Sequence, residues 1–363
     1  MSSPTNTVPD HPADPLPTRE ERLQVVLREL ERRFGPWIVY RLKDARPALG
    51  DLAISSGSLS LDLATGIGGF PRGRIVELIG PASSGKSTLA FHLLANAQRQ
   101  RGFVTFIDAA HQASFEQMAR CGVSLTDLFL VVPENAREAL EVAALLIESR
   151  GLDALVVGPL SNLIGVSLWA GQSAAKRLAR LNAVMHTSPT AVVFLTEDKT
   201  RPPMTPVSRA LRHFASLRIQ ITPLRPLVHP SGDISGLRIR AETIKNKLAP
   251  ARRQTEIDLL RERGVHREAE LIDLGLGWSI LEERPLGICF GRHFLGRGRT
   301  RAIAALEHDP ALAQDLQNRI VEGSVPLHLP SSNTETRGHG DPAIGPTPSP
   351  TTRHLTSNPY ARG

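Results

Sequence analysis

Hydrophobic positions along this chain recur with two different periods. Between residue 51 and about residue 255, short apolar runs are bounded by Gly, Pro and polar clusters: RIVELIG, FVTFIDA, LDALVVG, TAVVFLTE, ASLRIQITPL and LRIRAETIKN. Each predicts a strand. Stretches of helical spacing such as STLAFHLLANAQRQ lie between them. That alternation predicts an α/β fold, a mostly parallel twisted sheet with helices on its faces. Upstream, TREE (Thr18 to Glu21) forms a capping box before apolar positions Leu23, Val26, Leu27, Leu30 and Phe34, which predicts a helix. WIVYRL, after Gly35-Pro36, predicts a short strand. Residues 256–323 predict a small α+β domain ending in the helix DPALAQDLQNRIVEG. Residues 1–17 and 324–363 are rich in Pro and polar residues without an apolar period, and predict disordered ends. The expected divisions are therefore 18–50, 51–255 and 256–323.

The sharpest chemical signal sits between the first long apolar run and the helix after it. GPASSGKS fits G-x-x-x-x-G-K-[ST], a loop in which glycines let backbone N–H groups curl around phosphate oxygens. Gly80, Pro81, Ala82, Ser83, Ser84, Gly85, Lys86, Ser87 and Thr88 are the candidate nucleotide-binding residues. Lys86 reaches the outer phosphates, and the Ser87 hydroxyl meets magnesium. A Gly/Ser-rich turn before an ordinary helix is the bland alternative. The strand before and the helix after weigh against it.

Composition narrows the class. With 363 residues, 41% of them hydrophobic, the chain can bury one large core and a smaller second one. No run of about 18 apolar residues is present, so no membrane span is expected. The opening residues carry neither a basic segment nor an apolar one of the secretory kind. Cys121 and Cys289, far apart in sequence, frame neither a disulfide scaffold nor a zinc site, which fits a reducing cytoplasm. The net charge of +7 favours a polyanionic partner.

Several segments together resemble the bacterial RecA recombinase family. SSGSLSLDLATGIGGFPRGRIVELIGPASSGKSTL is similar to the family's entry into its phosphate loop. FIDAAHQAS, ALRHFASLR, IKNKLAP and ELIDLGLGWSI follow in the family's order, from about Thr18 to Gly323. The resemblance implies a RecA-like P-loop ATPase core that uses ATP and Mg2+. It also implies a homo-oligomeric filament on single-stranded DNA and exchange with a duplex. Lys245 and Lys247 match lysines that approach ATP on the neighbouring subunit. Val39 and Arg41 match the strand by which one subunit joins the next, and Arg212, Phe214 and Arg218 match the receiving side.

The departures concern catalysis. Ala110 stands where the family has the glutamate that activates water, and Gly158 where it has the aspartate that secures magnesium. Asp108 is the nearest surviving acid, with a structural role at the strand end as the competing account. Glu197, in place of the family's γ-phosphate-sensing glutamine, is the possible catalytic substitute. Gln117 replaces a base-stacking tyrosine, Ala82 replaces an acid, and His213 replaces an apolar residue.

Basic residues supply the DNA candidates: Lys176, Arg177 and Arg180 in one central segment, Lys199, Arg201 and Arg209 in another, and Arg292, Arg297, Arg299 and Arg301 in FGRHFLGRGRTR. Trp169 is a candidate stacking residue set against an ordinary core role. Two functional readings follow. One is a recombination and repair protein that assembles on DNA with weak or absent ATP hydrolysis. The other is a non-hydrolysing paralog that partners the main recombinase or a translesion polymerase.

Overall fold

The computed structural model describes residues 18–34, 53–159, 168–185, 188–197, 206–229 and 231–323. Expectations placed on 1–17, on the WIVYRL strand with Val39 and Arg41, on Lys199 and Arg201, and on 324–363 lie outside these residues. So does the side chain of Trp169.

In chain order, α1 spans Arg19–Phe34, and β1 (Ala53–Ile54), α2 (Leu59–Thr65) and β2 (Phe70–Pro71) lead into β3 (Arg74–Gly80) and α3 (Lys86–Arg99). Then come β4 (Val104–Ile107), α4 (Phe115–Arg120), β5 (Leu128–Val131), α5 (Ala136–Glu148), β6 (Ala154–Val157), α6 (Leu168–Met185), β7 (Ala191–Glu197) and α7 (Pro206–Phe214). A long hairpin, β8 (Leu217–Val228) and β9 (Ile234–Asn246), is followed by β10 (Gln254–Leu260) and β11 (Gly264–Val265). The rest is α8 (Arg267–Gly277), β12 (Glu282–Arg284), β13 (Gly287–Phe290), β14 (His293–Gly296), α9 (Gly298–His308) and α10 (Pro310–Gly323).

Nine strands form one sheet in the order β11-β10-β9-β8-β3-β7-β6-β4-β5. The six strands from β8 to β5 run parallel, whereas β9, β10 and β11 add antiparallel at the other edge. Both faces of its central strands β3, β7, β6 and β4 are covered, which is why these read as unbroken apolar runs. In β6, Ala154 and Val156 enter the cluster on the α3 face, while Leu155 and Val157 enter the one on the α5, α6 and α7 face. A third cluster, built on Leu271, Ile272, Leu281, Leu306 and Leu316, belongs to α8–α10 and the small sheet β12-β13-β14.

One buried polar knot ties α8 to the main sheet's surroundings. Glu270 accepts from the Ser58 and Ser60 hydroxyls and from Leu59 N at 3.1 Å, at the start of α2. Burial pushes this carboxyl up to about 7, against the pull of those donors. The nearby Asp62, raised to about 6 by burial, accepts from Ser55 and Ser56.

Candidate nucleotide site

The phosphate loop leaves the middle of the sheet, because β3 lies between β8 and β7. At Gly80 an added Cβ would stand 2.4 Å from the Ile221 carbonyl oxygen, and at Gly85 2.3 Å from Leu259 Cδ1. Gly85 also has φ 92°, so both positions demand glycine. Pro81, Ala82 and Ser83 are exposed, Ser87 is half-buried, and Ser84 and Lys86 are buried. The first turn of α3 leaves backbone N–H donors at this cleft, the usual setting for a phosphate.

Lys86 is folded into its own loop. Its Nζ donates to Gly80 O at 2.8 Å, Pro81 O at 2.6 Å and Ser84 Oγ at 3.2 Å. Burial lowers its pKa below the ordinary lysine value, and the negative charge of Glu197 opposes that shift. Glu197 ends β7 in register with Gly80, so its carboxylate is the acid beside the loop.

At the neighbouring strand ends the carboxylates are spent or missing. Asp108 follows β4, is 6% exposed, and accepts from Gln112 N at 3.1 Å and Ala113 N at 2.9 Å. Both of its oxygens therefore hold the turn after β4. Ala110, in that turn, brings a methyl group. Gly158 follows β6 and donates its N–H to Ile107 O at 2.8 Å. A Cβ at Gly158 would lie 3.1 Å from that oxygen and 3.4 Å from Phe106 Cζ, so any larger residue has to push the end of β4 aside.

From the loop, a cleft of about 570 Å³ runs past Thr88 and Gln117 to Leu237, Leu260 and Arg261. Gln117 Nε2 donates to Thr88 Oγ1 at 2.9 Å. Lys245 and Lys247 do not line this cleft. With Arg209, Arg212 and His213 they surround a separate basic hollow of about 470 Å³. Lys245 Nζ caps the C-terminus of α7 by donating to Arg212 O at 2.8 Å and His213 O at 3.0 Å. Burial first, then the charges of Lys247 and Arg218, lower its pKa.

The other candidates divide into engaged and exposed groups. Arg218 donates to Glu77 at 2.6 Å, and Thr196 donates to the second Glu77 oxygen at 2.9 Å. Phe214 is half-buried, with the His213 ring edge-on at 5.0 Å. On α6, Arg177 pairs with Glu141 and Arg180 with Glu148, both on α5, while Lys176 is exposed, as is Arg209 on α7. Arg292, Arg297 and Arg301 are exposed. Arg299 is not part of that free set: it donates to Asp273 at 2.6 Å and Asp258 at 2.7 Å, and Arg238 pairs with the same two carboxylates at 3.0 Å. Burial works against the Arg299 charge, but Asp273 and Asp258 outweigh it and raise its pKa. Sequence reasoning did not single out Asp258, Asp273 or Arg261: Asp273 lies within the quoted ELIDLGLGWSI, but nothing in that run marks its carboxylate as a partner for Arg299.

A parallel sheet whose central strand ends in a phosphate loop defines a P-loop nucleotide-binding α/β protein. The family model of the RecA N-terminal domain matches residues 21–266. Protein RecA of Chloroflexus aurantiacus (strain ATCC 29364 / DSM 637 / Y-400-fl) is 34% identical over 322 residues, 84% of this chain and 92% of that protein. Protein RecA of Thermus thermophilus is 32% identical over 336 residues, 88% and 98% of the two chains. Protein RecA 2 of Myxococcus xanthus is 32% identical over 324 residues, 84% and 90% of the two. The chain belongs to the RecA family, the family of recombination and repair proteins to which its sequence resemblance pointed. Among the described residues no helix is long and apolar enough to cross a membrane.

Proposed function

We propose that this RecA family member binds ATP with Mg2+ at Gly80–Thr88 and uses nucleotide occupancy to set its assembly on single-stranded DNA, while hydrolysing ATP weakly or not at all. One contrast carries the reading. The phosphate loop is complete, whereas Ala110 and Gly158 lack carboxylates and both Asp108 oxygens are held by backbone N–H groups. The donor set fits a magnesium ion held by the Ser87 hydroxyl and phosphate oxygens, with Glu197 as the acid alongside. Such an ion supplies neutralisation of phosphate charge. Lys86 exchanges the carbonyls it now holds for phosphate oxygens.

Assembly in this reading uses Val39 and Arg41 against the face carrying Arg212, Phe214 and Arg218. Lys245 and Lys247 reach nucleotide on the adjacent subunit. Duplex DNA is collected by the exposed Arg292, Arg297 and Arg301. A cytoplasmic setting rests on the two unpaired, buried cysteines. The missing carboxylates also favour a second reading, a non-hydrolysing partner of the main recombinase or of a translesion polymerase.

The test is ATP affinity and ATP turnover on one preparation, with and without single-stranded DNA. Micromolar binding with turnover barely moved by DNA is expected, and Lys86→Ala should weaken binding about 100-fold or more, as removing one partner of a buried charged pair does. Robust DNA-stimulated turnover would remove the weak-hydrolysis account, and unchanged affinity in Lys86→Ala would remove the loop from it.

A further inference from the structure

The far end of the nucleotide cleft is built from unusual material. No aromatic ring and no carboxylate lines it among the described residues. Glu116 and Glu262 border the same segments but do not line the cleft, and Glu116 is paired with Arg120. The polar side chains at this end are Gln117 and Arg261. Gln117 is partly engaged, with one of its two amide hydrogens given to Thr88 Oγ1. It keeps its carbonyl acceptor and its second N–H, and does not by itself decide between the bases.

Arg261 is in the opposite state. Its backbone is fixed by donating N–H to Ser235 O at 2.9 Å, and its carbonyl accepts from Arg120 at 3.5 Å. Its guanidinium is exposed and has no hydrogen-bond or ion-pair partner among the described residues. A fixed backbone with a free planar fork of donors matches two acceptors on one base edge. Guanine offers them at O6 and N7, whereas adenine places a donor at position 6 and repels the fork there.

We infer that the base end of this cleft accepts guanine at least as well as adenine, with Arg261 as the residue that sets the preference. The inference rests on nucleotide binding at the phosphate loop, proposed above. Calorimetric titration of the full chain with Mg-ATP and with Mg-GTP tests it, alongside Arg261→Ala and Lys86→Ala. GTP should bind at least as tightly as ATP. Arg261→Ala should weaken GTP about 5- to 100-fold, the range of one two-point guanine contact, and weaken ATP by clearly less. Lys86→Ala should weaken both nucleotides together. ATP binding more tightly than GTP overturns the inference and leaves the phosphate loop standing. Equal loss of both nucleotides in Arg261→Ala also overturns it, because it reduces the arginine to a general charge. Failure of both nucleotides to bind the unmodified chain overturns the inference and the proposed nucleotide site together.

Discussion

The nucleotide cleft and the arginine-rich segment of the C-terminal helices present the same problem with opposite outcomes. In the cleft, Pro81, Ala82 and Ser83 of the phosphate loop are exposed and Lys86 is held only by uncharged oxygens of that loop, while Asp108, the acid after β4, is held by Gln112 N and Ala113 N. Near α9, the arginine with the best partners, Arg299, is held by Asp258 and Asp273, while Arg297, two residues away, is exposed at the N-terminus of α9. Residue type and spacing nominate candidates in both places. What separates an available group from a structural one is its set of partners. Asp108 and Arg299 have them within hydrogen-bond distance; Ala110 and Gly158 have no carboxylate to offer.

The comparison breaks most visibly at the missing base. If turnover is weak because no carboxylate stands at position 110 to activate water, Ala110→Glu should raise the single-turnover hydrolysis rate about 10²- to 10⁴-fold, the usual contribution of a general base. Ala110 is half-buried in the turn held by Asp108, so a longer side chain there has a path to solvent. Gly158→Asp alone should give much less, since its Cβ meets Ile107 O at 3.1 Å and the end of β4 must move. No gain in Ala110→Glu would show that the barrier is set elsewhere, with Glu197 the first group to examine.

Much of the sheet was legible because parallel strands covered on both faces leave continuous apolar runs. Each of the six quoted runs contains residues of a strand of the large sheet, five of them parallel and the sixth, LRIRAETIKN, the antiparallel β9. β5 was not read from the sequence: LFLV is four residues long and, though bounded by Asp127 and Pro133, too short to tell from an apolar turn. Nor was it legible that β10 and β11 continue the large sheet to Val265, because QTEIDLL sets Glu256 and Asp258 among its apolar residues, and both carboxylates are neutralised by Arg238 from β9. The phosphate loop could be read since its chemistry is local. The fate of Asp108 is also local, two backbone donors four and five residues ahead, but an Asx-type turn leaves no motif as specific as the loop's. Arg299 was beyond reach: its partners lie 26 and 41 residues away, on α8 and β10.

A second test separates the two arginines by stability. Arg299→Ala leaves Asp258, 3% exposed, with Arg238 as its remaining cationic partner. Removing one partner of a fully buried pair costs 3–5 kcal/mol, and the remaining Arg238 together with the one-third exposure of Arg299 reduces that to about 2 kcal/mol. Denaturant unfolding followed by a probe in the C-terminal helices should report the loss, and Arg297→Ala in the same assay should stay within about 0.5 kcal/mol of the unmodified protein. Equal stability of the two variants would return Arg299 to the set of surface cations.

The smallest effect is on DNA, and it runs the other way. Arg297 is exposed, precedes Gly298, whose φ is 76°, and so sits on backbone that can approach a phosphate closely. If it contacts one phosphate, Arg297→Ala should lower duplex affinity several-fold and reduce the magnitude of the slope of log K against log salt by about 0.9, the share of one neutralised phosphate on B-DNA. The loss should be uniform across sequences, because a phosphate contact carries no base information. Arg299→Ala, measured under conditions where it remains folded, should leave that slope in place, since its guanidinium is already neutralised within the chain. A slope that falls with Arg299→Ala and not with Arg297→Ala would mean that the ion network opens to DNA, and the pairing seen here would then be a resting arrangement that phosphate displaces.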